Sequence, residues 1–176
     1  MERERHGTGT PYSLHCPSFR DLAPEVILGR LFPSEATMSS DADIRAILTS
    51  VKTIAVVGWS PKPDRPSHRV AAFLKRRGYR VIPVNPGQAG QTALGETVAA
   101  TLAEAVAKVG PVDMVDIFRR SEEAGAVADE AVRLGAKVVW MQLGVEDEAA
   151  ASRARAAGLQ VVMNRCPAIE IPRLGL

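Results

Sequence analysis

Three short runs carry residues that could hold an anion. The first is Gly58-Trp59-Ser60-Pro61-Lys62-Pro63-Asp64-Arg65-Pro66-Ser67. Glycine permits a close turn. Ser67 stands where a helix N-cap belongs, ahead of Val70, Ala71 and Leu74 on one helical face. Free amides at a helix start carry partial positive charge and suit a phosphate. Lys62 and Arg65 would add charge-assisted contacts. An ordinary strand–helix turn with solvated charges fits the same residues equally well. The second run is Asp116-Ile117-Phe118-Arg119-Arg120-Ser121, where Arg119 and Arg120 flank another expected helix start capped by Ser121. Phe118 reads first as core. The third is Trp140-Met141-Gln142-Leu143-Gly144. Trp140 and Met141 read as packing, and the polar Gln142 directly after an apolar run is the informative residue.

Catalytic and metal patterns are scarcer. Cys16 and Cys166 lie far apart, and His6, His15 and His68 are the three imidazoles, so no zinc-ligand spacing arises. Reduced thiols in a cytoplasmic protein are the expected state. No serine–histidine–acid or cysteine–histidine set assembles from local spacing. His68 reads as a surface or crevice-edge residue, and Glu146-Asp147-Glu148 as a helix-start cluster. Cys166 is the reactive candidate, with Arg165 beside it to lower its pKa; a packed, inert thiol is the alternative. The dinucleotide fingerprint fails, because Ser60 and Pro63 stand where its glycines would be. The acid that would hold a ribose is also missing after the second strand, which closes Val84-Asn85-Pro86. Both departures argue against NAD. A P-loop lysine–serine pair is absent too.

Composition bounds the remaining classes. The 176 residues are 24% charged and 46% hydrophobic, which fits one domain with a continuous core. Lys+Arg 22 against Asp+Glu 20 gives a net charge of +2. Duplex binders usually show a clear basic excess, so nucleic acid is not an expected partner, while a local basic pocket for a small anion is. No apolar run reaches the roughly 18–20 residues that span a bilayer, and no signal peptide or membrane anchor is expected.

These residues must be positioned by elements that the pattern also supplies. Residues 1–37 show no sustained period and are punctuated by Gly7, Gly9, Pro11, Pro17, Pro24 and Pro33. They are expected to be a weakly structured N-terminal extension, with Met38 as the natural initiator. Residues 38–176 then form one domain. A helix carries Ile44, Ile47 and Leu48 on one face. Thr53–Val57, Arg80–Val84, Val112–Phe118, Lys137–Met141 and Leu159–Met163 read as strands, with Leu159–Met163 the last strand. Helices are expected after Ser67, from Thr101 to Val109, after Ser121 and after Glu146. Nearly continuous apolar strands alternating with helices imply an α/β fold, a doubly wound parallel sheet covered on both faces. Its ligand crevice lies outside the carboxyl ends of the strands, where the loops after Val57, Val84, Ile117 and Met141 converge.

The runs Val56–Ser60, Arg65–Ser67, Gly78–Pro86, Val115–Arg119, Gly135–Gly144 and Val161–Cys166 resemble the small bacterial CoA-binding proteins. Those proteins are single Rossmann-like domains, similar to the CoA-binding domain of the succinyl-CoA synthetase α subunit. The resemblance covers roughly Asp41 to Leu174. It implies that Gly58 and Ser60 meet the pyrophosphate, helped by Ser67. It implies that Val84, Asn85 and Pro86 border the adenosine, and that Ile117, Phe118 and Arg119 line the next edge. Met141 and Gln142 would face the pantetheine, and Arg65 the ribose 3′-phosphate. The family usually has an aromatic between residues 88 and 100; this chain has none there. The synthetases' phosphorylated histidine belongs to a further domain with no counterpart here. The implied function is binding of coenzyme A or acyl-CoA without catalysis, with any protein partner undefined. The alternatives are a CoA-binding subunit of a multi-chain acyl-CoA ligase and an NAD(P)-binding regulator. A disulfide between Cys166 and the CoA thiol is a further expectation.

Overall fold

The computed structural model describes residues 39–176. The extension expected over residues 1–37, with Cys16, His6 and His15, lies outside them. The first helix, α1 (Asp41–Ser50), starts at a reciprocal cap. The Ser40 hydroxyl accepts from the Asp43 amide, and the Asp43 carboxylate accepts from the Ser40 amide. The chain continues as β1 (Thr53–Val57), α2 (Pro66–Arg76) and β2 (Arg80–Val84). Next come a small hairpin of β3 (Thr92–Ala93) and β4 (Glu96–Thr97), then α3 (Leu102–Val109) and β5 (Met114–Ile117). It ends with α4 (Ser121–Arg133), β6 (Val138–Met141), α5 (Glu148–Ala156), β7 (Gln160–Val162) and α6 (Pro167–Arg173).

The five-stranded sheet has the order β2-β1-β5-β6-β7, and every pairing in it is parallel. Strand side chains alternate between two cores, as a pleated strand requires. Ala55, Val57, Ile82, Val115, Ile117, Val139 and Met141 pack under α3, α4 and α5. Ile54, Val56, Val81, Met114, Val138 and Trp140 pack under α1, α2 and α6. The sheet is therefore doubly wound, as the apolar strand pattern predicts. Helices leave β1 and β2 toward opposite faces, which makes the gap between β1 and β5 the switch point where a crevice opens.

Two expected caps are corrected. Arg65 is the N-cap of α2 and Pro66 its first residue, so Ser67 lies inside the first turn, buried, and makes no cap bond. Proline is preorganised for the first helical position and starts the helix ahead of the serine. Arg120 likewise precedes α4. Ser121 instead ties the β6–α5 loop, with Oγ accepting from the Glu146 amide at 3.1 Å. Two elements were not anticipated. The β3–β4 hairpin is too short to show a period. Helix α6 follows the last strand, and Pro167 and Pro172 conceal its pattern.

Candidate functional site

The site is built around a close approach of two strand ends. Gly58 follows β1 with φ of +91°, and a Cβ there would lie 2.3 Å from the Phe118 carbonyl oxygen. Only glycine fits that backbone and that gap. The Phe118 amide donates to the Val57 carbonyl at 2.8 Å, which zips the exits of β1 and β5 together. The Gly58 and Trp59 amides both donate to the Val84 carbonyl, at 3.0 and 3.3 Å. The Gly58 amide is thus occupied in holding the turn, and its part in the site is steric. Among the described residues the Ser60 and Ser67 amides meet no acceptor.

Above this junction is a cavity of about 710 Å³, within the usual range for ligand sites. The β1–α2 segment supplies Gly58, Trp59, Ser60, Lys62, Arg65, Ser67 and Arg69 to its wall, and β2 and β5 supply Asn85 and Phe118. The loop after β6 adds Gln142, Leu143 and Val145, and the start of α6 adds Cys166 and Ile169. Lys62, Arg65 and Arg69 take no part in the ion pairs formed among the described residues. Three cations outside any ion pair beside free helix-start amides have the chemistry that suits a polyanion.

Other polar groups brace the walls. Asn85 Nδ2 donates to the Trp59 carbonyl at 2.6 Å, and its Oδ1 accepts from the Gly87 amide at 2.8 Å. Asn85 therefore shapes the cavity, with both of its polar atoms already engaged in one bond each. The Trp59 ring is 6.2 Å from that of His68, whose Nδ1 lies 3.2 Å from the Ser60 carbonyl oxygen. The buried Trp59 Nε1 has no partner among the described residues.

Behind the wall residue Gln142 lies a buried carboxyl. Asp116 lies on β5 between Val56 and Trp140, on the face that carries α2 and α6. Gln142 Nε2 donates to Asp116 Oδ1 at 2.8 Å, while Oδ2 has no partner. Burial pushes the carboxyl up to about 7, because water no longer solvates the charged form, and outweighs the opposing Gln142 bond. Cys166 is buried nearby. Its thiol is also pushed up, by desolvation and by the carboxylates of Asp116 and Glu170. The expected lowering by Arg165 is overturned, since that guanidinium is engaged by Glu170 at 3.1 Å.

Of the residues singled out in the sequence, Gly58, Ser60, Arg65, Ser67, Asn85, Phe118 and Gln142 come together on the cavity wall. Val84, Ile117 and Met141 do not: their side chains are buried in the core under α3, α4 and α5. The pleat decides this, since Met141 and Gln142 point to opposite faces. Pro86 is exposed in a turn, and neither it nor Arg119 lines the cavity. Sequence reasoning missed Arg69, Ile169 and Asp116. The four-residue spacing from Arg65 could have found Arg69, and one acid within the apolar Met-Val-Asp-Ile run could have marked Asp116. Ile169 had no signal because α6 was not anticipated.

Residues 52–172 match the family model described as a CoA binding domain. The chain is 42% identical over 127 residues to the uncharacterized protein YneT of Bacillus subtilis, an alignment covering 72% of this chain and 90% of YneT. A solved structure from Thermus thermophilus, described as cell-free ID.343, is 37% identical with a TM-score of 0.71. That match covers 77% of this chain and 98% of the Thermus protein. A hypothetical protein from Pyrococcus horikoshii OT3 is 37% identical with a TM-score of 0.70, over 78% of this chain and 93% of its own. Among the described residues no helix is long and apolar enough to cross a membrane.

Proposed function

Since the chain belongs to the family of CoA binding domains, we propose that residues 38–176 bind coenzyme A or acyl-CoA in the cavity at the carboxyl ends of the strands. The carrying observation is the cavity itself, with three unpaired cations and free helix-start amides on one side and an apolar wall on the other. A nucleotide with several phosphates and a long neutral arm has that same polarity. In this reading Ser60, Ser67, Lys62 and Arg69 take the pyrophosphate, and Arg65 the ribose 3′-phosphate. Asn85 and Phe118 border the nucleotide, and Gln142 borders the pantetheine. Met141, Val84 and Ile117 act only by fixing the backbone beneath these contacts.

Binding without catalysis is part of the proposal. The nucleophiles on the cavity wall are Ser60, Ser67 and Cys166, and no carboxylate or imidazole lines the cavity beside them. The high pKa of Cys166 works against thiolate chemistry at neutral pH. A small-molecule ligand is sufficient for this reading and no nucleic acid or membrane is invoked.

The test is titration calorimetry with CoA, dephospho-CoA and NAD side by side. CoA is expected to bind in the micromolar range. Dephospho-CoA should bind roughly tenfold more weakly, the size of one charge-assisted contact. Arg65→Ala should abolish that difference. Micromolar NAD binding with no CoA binding would replace this reading with that of an NAD-binding regulator.

A further inference from the structure

The apolar end of the cavity is unusual in its exposure. Leu143 is 56% exposed and Ile169 is 52% exposed, the large hydrophobic side chains most open to solvent among the described residues. They belong to different elements, the loop after β6 and the first turn of α6, yet both line this cavity. Buried Val145 and Cys166 continue the same wall. Two open aliphatic side chains converging on one cavity mouth form a small apolar patch, and such patches mark contact sites.

Charge separates this end from the other. The cations on the cavity wall, Lys62, Arg65 and Arg69, all come from the β1–α2 segment. The β6 loop and α6 give the wall no carboxylate, ammonium or guanidinium. In the sheet β6 lies two strands from β1, roughly 10 Å away. A ligand anchored by phosphates at the β1–α2 segment, its arm folded along the strand ends, brings its distal end toward Leu143 and Ile169. That group meets aliphatic carbon and the neutral amide of Gln142. A carboxylate placed there would lose solvation without gaining a cation.

Resting on the CoA reading above, we infer that the cavity selects a CoA thioester of a short, neutral aliphatic acid, its acyl chain covering Leu143, Val145 and Ile169. The occupant is the ligand's own acyl chain because both exposed side chains line the cavity that holds the rest of the ligand. Dicarboxylic acyl groups are disfavoured at this end. Fully burying a methylene is worth roughly fourfold in affinity. With half-open walls about twofold per methylene is expected, so butyryl-CoA should bind about fourfold more tightly than acetyl-CoA.

The test compares CoA, acetyl-CoA, butyryl-CoA and succinyl-CoA by calorimetry on the full chain. The expected result is butyryl-CoA tightest, about fourfold over acetyl-CoA, and succinyl-CoA at least tenfold weaker than butyryl-CoA. In a Leu143→Ser, Ile169→Ser double variant the butyryl-to-acetyl ratio should fall to near one. Both side chains are more than half exposed, and a thermal melt checks that the variant is folded. Should that variant be unstable, Leu143→Ser alone should still halve the ratio. Succinyl-CoA binding as tightly as butyryl-CoA, or an unchanged ratio in the variant, overturns the inference while leaving the CoA reading intact. Failure of all four ligands to bind overturns both.

Discussion

Asp116→Asn isolates the most unusual electrostatic feature of the fold. The Asp116 carboxyl is fully buried and pushed from its ordinary 3.8 to about 7, with burial as the dominant cause. Between these values the folded chain holds a proton that the unfolded chain has released. Stability therefore falls as pH rises through this window and levels off above about 7. The full cost above pH 7 is roughly 4 kcal/mol, and the part falling between pH 5 and pH 8 is roughly 3 kcal/mol. The other shifted groups act largely outside the range of pH 5 to pH 8. Asp113, held at about 2 by Lys137 and two backbone amides against its own desolvation, titrates below it. Cys166 and Tyr79, both raised by burial, titrate above it. Asparagine keeps the carbonyl that accepts from Gln142 and removes the ionisation. Its second polar atom stays unpartnered, as the protonated hydroxyl is, so the variant should match the native chain at pH 5 within about 1 kcal/mol. Urea unfolding across pH 5 to 8 is the assay. The native chain should lose roughly 3 kcal/mol over this range and Asp116→Asn should stay flat, becoming the more stable protein at pH 8. A native chain that is flat, or a variant that follows the native slope, refutes the assignment of a protonated carboxyl beneath the cavity.

Two further substitutions test the walls. Gly58→Ala places a Cβ 2.3 Å from the Phe118 carbonyl in a left-handed backbone, and should destabilise by roughly 3 kcal/mol and weaken ligand binding; unchanged denaturation would show that β1 and β5 do not meet so closely. Glu170→Ala removes a nearly buried carboxylate that accepts from Arg165 at 3.1 Å and from Arg173 at 2.7 Å. Arg173 also bridges to Asp41 on α1. The loss should cost roughly 2 kcal/mol and lower amide-exchange protection across α6, together with ligand affinity at the Ile169 wall. Exchange rates equal to those of the native chain would contradict that role.

The sequence by itself determined the winding of the sheet. Strands such as Thr53–Val57 and Val138–Met141 are apolar at nearly every position because helices cover both faces, and that pattern survives in one dimension. It also determined the glycine at the β1 exit and the cluster of Ser60, Lys62 and Arg65, since a turn and its helix start are local. What lay beyond local spacing was decided by tertiary structure. Whether Met141 or Gln142 faces the cavity depends on which face of the pleat carries α2 and α6, and nothing local to those two residues states this. Arg165 is adjacent to Cys166 in sequence yet is drawn to Glu170, so the thiol is governed by burial instead. Asp116 reads as one acid in a strand until two neighbouring strands and the helices over that face remove it from water. Ionisation and cavity shape depend on everything that surrounds a group, whereas helix and strand periods depend only on neighbours along the chain. Hence the fold was legible in the sequence and the ionisation of the buried groups near the cavity was not.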